Sequence, residues 1–171
     1  MTLLLFESAA RPLLLAHAVV GFTAVGATTH HAVYALLVAR GRTLARQLRR
    51  FGWIGPLALC TQLALGLALY PTYRVRVRAA FLDKSAPAVA QLFDFKEHLA
   101  ALSLALVLAA ALAGRALASR TELTDAADGP ELGRPALRWS VAALSCTGAL
   151  FVWTAALIGL YVTARHPVGT P

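Results

Sequence analysis

Four long runs of apolar residues, separated by short polar links, dominate the chain: Pro12–Ala39, Trp53–Tyr70, Leu99–Gly114 and Trp139–Thr163. Each approaches or exceeds the roughly 20 residues that a helix needs to cross about 30 Å of hydrocarbon. None shows the strict alternation of barrel strands, and in lipid only helices or closed barrels satisfy every backbone polar group. The pattern predicts an all-α, integral membrane, four-helix up-down bundle occupying residues 1–171 as one domain, with spans near 12–39, 53–70, 90–114 and 137–164. The third span starts early because Ser85-Ala-Pro87 reads as a helix start. The first run is too long for a signal-peptide core and lacks a small-residue cleavage site, so it is expected to be retained. Thr121–Pro135, with Gly129-Pro130 and Gly133, reads as a polar loop.

Composition agrees with this picture. Of 171 residues, 58% are hydrophobic and 14% charged, with a formal net charge of +8. The basic residues flank the apolar runs, so the expected partner is the lipid bilayer with its anionic headgroups, not nucleic acid. The link between spans one and two carries Arg40, Arg42, Arg46, Arg49 and Arg50, and the link between spans three and four carries Arg115, Arg120, Arg134 and Arg138. This side, side B, thus has nine bases. Side A, holding both termini and the Pro71–Glu97 link, has seven. The positive-inside rule puts side B in the cytoplasm and both termini outside, in a bacterial inner membrane.

The candidate chemistry lies in the histidines. His17 and His31 are fourteen residues apart in one span, which returns them to nearly one helix face about 21 Å apart. Ionisable residues inside a span are costly and mark functional sites by default. The up-down order places His17, His98 and His166 toward side A on three different spans, and His30 and His31 toward side B. A b-type haem needs two axial nitrogens facing across a bundle core. His17 with His98 is the expected pair, with His166 in reserve. Gly21 and Gly26 thin span one. On an extended Tyr73–Arg78 segment, Arg74, Arg76 and Arg78 would align on one side, where guanidiniums suit haem propionates. His31 is placed for a second haem, but no other span offers a histidine or methionine toward side B. One haem b is therefore favoured over two. Cys60 and Cys146 sit mid-span and are expected to act as small packing residues.

The His17–His31 spacing resembles that of haem ligands in membrane b-type cytochromes. The Lys96–His98 entry to span three, together with an early histidine in span one, is also similar to the haem-binding bacterial protoporphyrinogen oxidases and the copper-resistance-D-like membrane proteins. In this chain the lysine precedes the histidine, and His30-His31 are additional. These resemblances imply a haem-holding four-helix bundle. The expected function is electron transfer to or from a quinone, or as a subunit beside other membrane subunits, with Asp94, Glu97, Tyr73 or His166 handling protons. The alternatives are a haem-dependent porphyrin-oxidising enzyme, and a packing subunit whose histidines only join helices. In the packing reading, Thr28-Thr29-His30-His31 is a polar patch against Gln62.

Overall fold

A computed structural model describes residues 6–124 and 134–165. It contains four long helices: α1 (Ala10–Ala39), α2 (Ala45–Thr72), α3 (Pro87–Thr124) and α4 (Arg134–Arg165). No strand occurs among the described residues. All four helices are long and apolar enough to span a membrane, and the protein is an all-α membrane helical bundle.

Local chemistry sets the ends of these helices. Pro12 lies in the first turn of α1, where a missing N–H costs nothing. At the other end Gly41 adopts φ +89°, a left-handed conformation that favours glycine. Its N–H donates to the Val38 carbonyl at 3.0 Å, and the Arg42 N–H donates to Leu37 at 2.9 Å. These are the two bonds of a Schellman closure, and they turn the chain into α2 within five residues.

The link after span two differs from the extended segment that the alternating Tyr73–Arg78 pattern suggests. Pro71 lies inside α2, and beyond Thr72 the helix continues as a π-helical stretch, Tyr73–Leu82, followed by a last turn, Asp83–Ser85. Residues two apart on a helix do not share a face, so Arg74, Arg76 and Arg78 do not align. Arg78 turns inward and grips Asp94 of α3 with both terminal nitrogens, Nη2 reaching Oδ2 at 2.9 Å. Its Nε also pairs with Asp83 at 3.6 Å. Arg74 and Arg76 are exposed. The helix breaks at Ala86 (φ −150°, ψ 60°), since a residue before proline avoids the α region, and Pro87 opens α3.

Each helix packs on its sequence neighbours, and α1 also packs on α4, so the four close into a ring. The packing is antiparallel throughout. His17 meets Gly66 and His31 meets Gly52 across the α1–α2 seam. Gly52 meets Ala111 across α2–α3, and Gly148 meets Val107 across α3–α4. Burial is concentrated in three apolar clusters stacked along the bundle. One, at side A, contains Tyr73, Val77, Leu82 and Leu99. A central one contains Ala24, Val25, Leu59, Val107 and Val152. The third, at side B, contains Ala35, Leu48, Leu117 and Val141. Leu15, Phe22, Leu57, Leu67, Leu112 and Leu150 face outward, as helices in lipid require. At the side B end, the Arg115 guanidinium lies 4.2 Å above the exposed Trp53 ring, an anchor suited to the membrane interface.

Candidate functional site: two histidine layers

Helix α1 carries both interior imidazoles. The antiparallel ring places a residue from each helix level with His17, and another set level with His31. The central apolar cluster lies between the two levels.

Layer A surrounds His17. Its Nε2 is 2.8 Å from Nε2 of Gln62 on α2. An amide nitrogen only donates, so Nε2 accepts; turning the amide over reverses the roles. In either arrangement Nδ1 is buried without a partner. Two glycines flank this contact. A Cβ at Gly21 would come 3.0 Å from the Gln62 amide, and one at Gly66 would lie 3.4 Å from Cε1 of His17. From α3, Lys96 comes within electrostatic reach of His17. Its stem crosses Gly159 of α4, where a Cβ would meet Cδ at 3.7 Å, and its ammonium sits 4.5 Å over the Phe93 ring. Each of the four helices thus contributes to this layer. Above it toward side A, Tyr73 stacks on Phe93 at 3.9 Å, with its buried hydroxyl unpartnered. Tyr73 lies within electrostatic reach of Arg78, Asp94 and Glu97.

His98 is not brought to His17. It is exposed, and its Nδ1–H donates to the Asp94 carbonyl of its own helix at 2.8 Å. Lys96 and His98 are two residues apart, about 200° around a helix, so when one reaches into the ring the other faces outward. Here the lysine is inside. The third side A histidine, His166, lies outside the described residues.

Layer B surrounds His31, which is 4% exposed. Its Nδ1 is 3.1 Å from the Ser145 hydroxyl of α4. The single hydroxyl proton of Ser145 is donated to the Val141 carbonyl at 2.7 Å, so Oγ accepts Nδ1–H from the imidazole. Nε2 then holds a bare lone pair, and it has no protein partner. It faces glycine backbone on two helices: a Cβ at Gly52 would be 3.4 Å away and one at Gly114 3.6 Å away. Next to it, His30 is exposed, bonds to the Gly26 carbonyl at 2.7 Å and stacks on Phe51 at 5.0 Å. The Thr-Thr-His-His patch does not meet Gln62, which bonds His17. Its polar partners are on α4, with Trp153 Nε1 donating to Thr29 at 3.0 Å. Cys60 is exposed and Cys146 half-buried, and both are free.

The donor chemistry for haem can be compared layer by layer. A metal-ligating histidine normally has its second nitrogen held by a neighbouring group. His17 and His31 each have one nitrogen held and one unpaired. Beyond this the layers diverge. Layer A contains a second nitrogen base, Lys96, and three glycines, Gly21, Gly66 and Gly159, against which lie the Gln62 amide, the His17 ring and the Lys96 stem. Layer B holds a cavity of about 10 Å³, whereas cofactor pockets measure about 300–1,000 Å³. At layer A, His17 and Lys96 bring two nitrogen bases within reach of each other in a ring filled by side chains; at layer B the volume does not fit haem. No group of three or more His, Cys, Asp or Glu side chains that could hold a free metal ion occurs among the described residues. No family model matches the chain, and no curated protein or solved structure is significantly similar to it.

Proposed function

We propose that the chain is a membrane-embedded b-type haem protein that carries electrons, holding a single haem at layer A with His17 as an iron ligand. The observation that supports this most is the state of His17: a half-buried imidazole steadied at one nitrogen by Gln62 and unpaired at the other. Bound haem supplies one-electron chemistry at its iron. The chain's own residues set the site around it. Gln62 orients the imidazole, and Gly21 gives the amide room to do so. Lys96, the nitrogen base within reach of His17, would hold the iron with it in place of the His98 expected from spacing, once its ammonium gives up a proton. Arg74, exposed at the same end, supplies a cation for a propionate. The bias of basic residues orients side B to the cytoplasm of a bacterial inner membrane, with layer A near the outer face and open to a quinone or a partner subunit there.

One observation favours a second reading, a packing subunit without a cofactor. Both interior histidines already join helices, His17 to α2 and His31 to α4, and side chains fill the ring. The reduced-minus-oxidised visible spectrum of protein purified with haem supplied decides between them. A low-spin α-band that is lost in His17→Ala and kept in Cys60→Ala supports the haem reading. No haem spectrum in the wild type establishes the packing reading.

A further inference from the structure

We infer that the outward face of α2 at side B is a binding site for one anionic phospholipid, with its phosphate on Arg46 and Arg50 and an acyl chain along the helix below Trp53. Residues 46, 50, 53, 57, 60 and 64 recur every three or four positions, so they stay on one face of the helix. All six are exposed. From the end of α2 toward its middle they read Arg46, Arg50, Trp53, Leu57, Cys60 and Ala64. That is the order of a phospholipid: charge, then interface, then hydrocarbon. Tryptophan is at home at the headgroup level. From Trp53 to Ala64 the helix rises about 16 Å, close to half of the roughly 30 Å hydrocarbon core. Leu57 stands out at 70% exposure, while Cys60 and Ala64 beyond it are small, so an acyl chain can lie against the helix there.

At the charged end, Arg46, Gln47, Arg49, Arg50 and Trp53 line an open groove of about 640 Å³. The Arg115 guanidinium, 4.2 Å above the Trp53 ring, adds a cation at its edge. Arg49 has an interaction of its own, so the phosphate is assigned to Arg46 and Arg50, one helical turn apart. A guanidinium fork matches phosphate oxygens in bidentate geometry. Charge balance sets this end apart from side A. There Arg78 is already paired with Asp94 and Asp83. Residues 8–82 contain no Asp or Glu, so neither α1 nor α2 can neutralise Arg46 and Arg50. The acids of side B, Glu122, Asp125, Asp128 and Glu131, all belong to the link between α3 and α4. A zwitterionic headgroup would bring its ammonium against the guanidiniums, an unfavourable pairing that selects against it. A free phosphate would leave the apolar stripe below the groove unused, so an anionic lipid of the bilayer is the occupant this face fits. Gln62 and Gly66, the α2 residues of layer A, lie about 160–200° around the helix from Arg46, so the inference does not rest on the haem reading.

The test uses the full-length protein in phosphatidylcholine bilayers containing a small fraction of phosphatidylglycerol. Trp139→Phe with Trp153→Phe leaves Trp53 as the one tryptophan, and bromine-labelled acyl chains quench an indole that they touch. The expected result is stronger quenching by brominated phosphatidylglycerol than by brominated phosphatidylcholine at the same mole fraction. Arg46→Gln and Arg50→Gln should each lower that preference about fivefold, the increment of one basic residue at an anionic surface. Arg42→Gln, on the same side but outside the groove, should leave it unchanged, and inorganic phosphate at matched ionic strength should not displace the lipid. Equal quenching by the two lipids overturns the inference, as would follow if the carboxylates of the link held the arginines. A loss in Arg42→Gln equal to that in Arg46→Gln overturns it in favour of diffuse surface charge. Displacement by phosphate overturns it in favour of a soluble-anion site. Where the double Phe variant does not fold, native mass spectrometry of the wild type, Arg46→Gln and Arg50→Gln, released from the same bilayers, measures the preference as retained phosphatidylglycerol. Haem content is measured on the same samples, so a failure here is separate from a failure of the haem reading.

Discussion

The two histidine layers start from the same residue on the same helix, fourteen positions apart, and end with different chemistry. At layer A the partners of His17 are long polar side chains, Gln62 and Lys96, which can move. At layer B the partner of His31 is the short hydroxyl of Ser145, tied to its own helix backbone, with the Thr28 hydroxyl likewise tied to its own helix. The first layer adjoins the charged side A rim of Arg78, Asp94 and Glu97; the second is closed by apolar residues and glycine backbone. An intramembrane histidine is thus no site by itself. The reach and freedom of the groups around it decide whether it can exchange its partner for a ligand.

Substitutions can break this contrast or sharpen it. The largest effect is expected from His17→Ala, which should remove the haem α-band entirely, as read in the reduced-minus-oxidised spectrum; a retained band would move the site away from layer A. Gly52→Ala comes next. Its new Cβ would stand 3.4 Å from His31 Nε2 and 3.7 Å from the Ala111 backbone, ordinary van der Waals contact, and alanine is favoured over glycine in a helix interior by about 1 kcal/mol, so the variant should be slightly more stable. Denaturation in mixed micelles measures it, and a lowered midpoint would mean that layer B is tighter than described. Arg78→Ala should cost about 1 kcal/mol. Hydrogen bonds to charged groups contribute more, but the Asp94 side chain is 38% exposed and solvent screens the pair. The smallest effect belongs to His31→Ala, about 0.6 kcal/mol of helix association, with haem content unchanged. Loss of haem in that variant would reverse the assignment of the two layers.

Much of the fold was legible before the structure, because apolar length alone identifies helices that cross a membrane. The two interior histidines were equally legible, since fourteen residues on a helix return to one face. The link after Pro71 was not. The alternation of Arg and Val from Tyr73 to Arg78 has the period of a strand, yet the chain stays helical there, with Arg78 committed to Asp94. Nor did the sequence show which residue of the Lys96–His98 pair enters the ring. That depends on the rotation of α3, which lays the Lys96 stem on Gly159 of α4 and the Phe93 ring on Tyr73. The role of Gln62 was half visible: as a lone amide in an apolar span it needed a partner, but the partner is His17 and not the Thr-Thr-His-His patch. The hydroxyl lining of layer B was hidden in common residues whose meaning comes only from what their protons are bonded to.

On the proposed function, layer A takes a group that layer B excludes, and the haem-to-protein ratio is the decisive measurement. With haem in excess, one haem is expected in the wild type, none in His17→Ala and one in His31→Ala. Two haems in the wild type falling to one in His31→Ala, or none in any of the three, would contradict it.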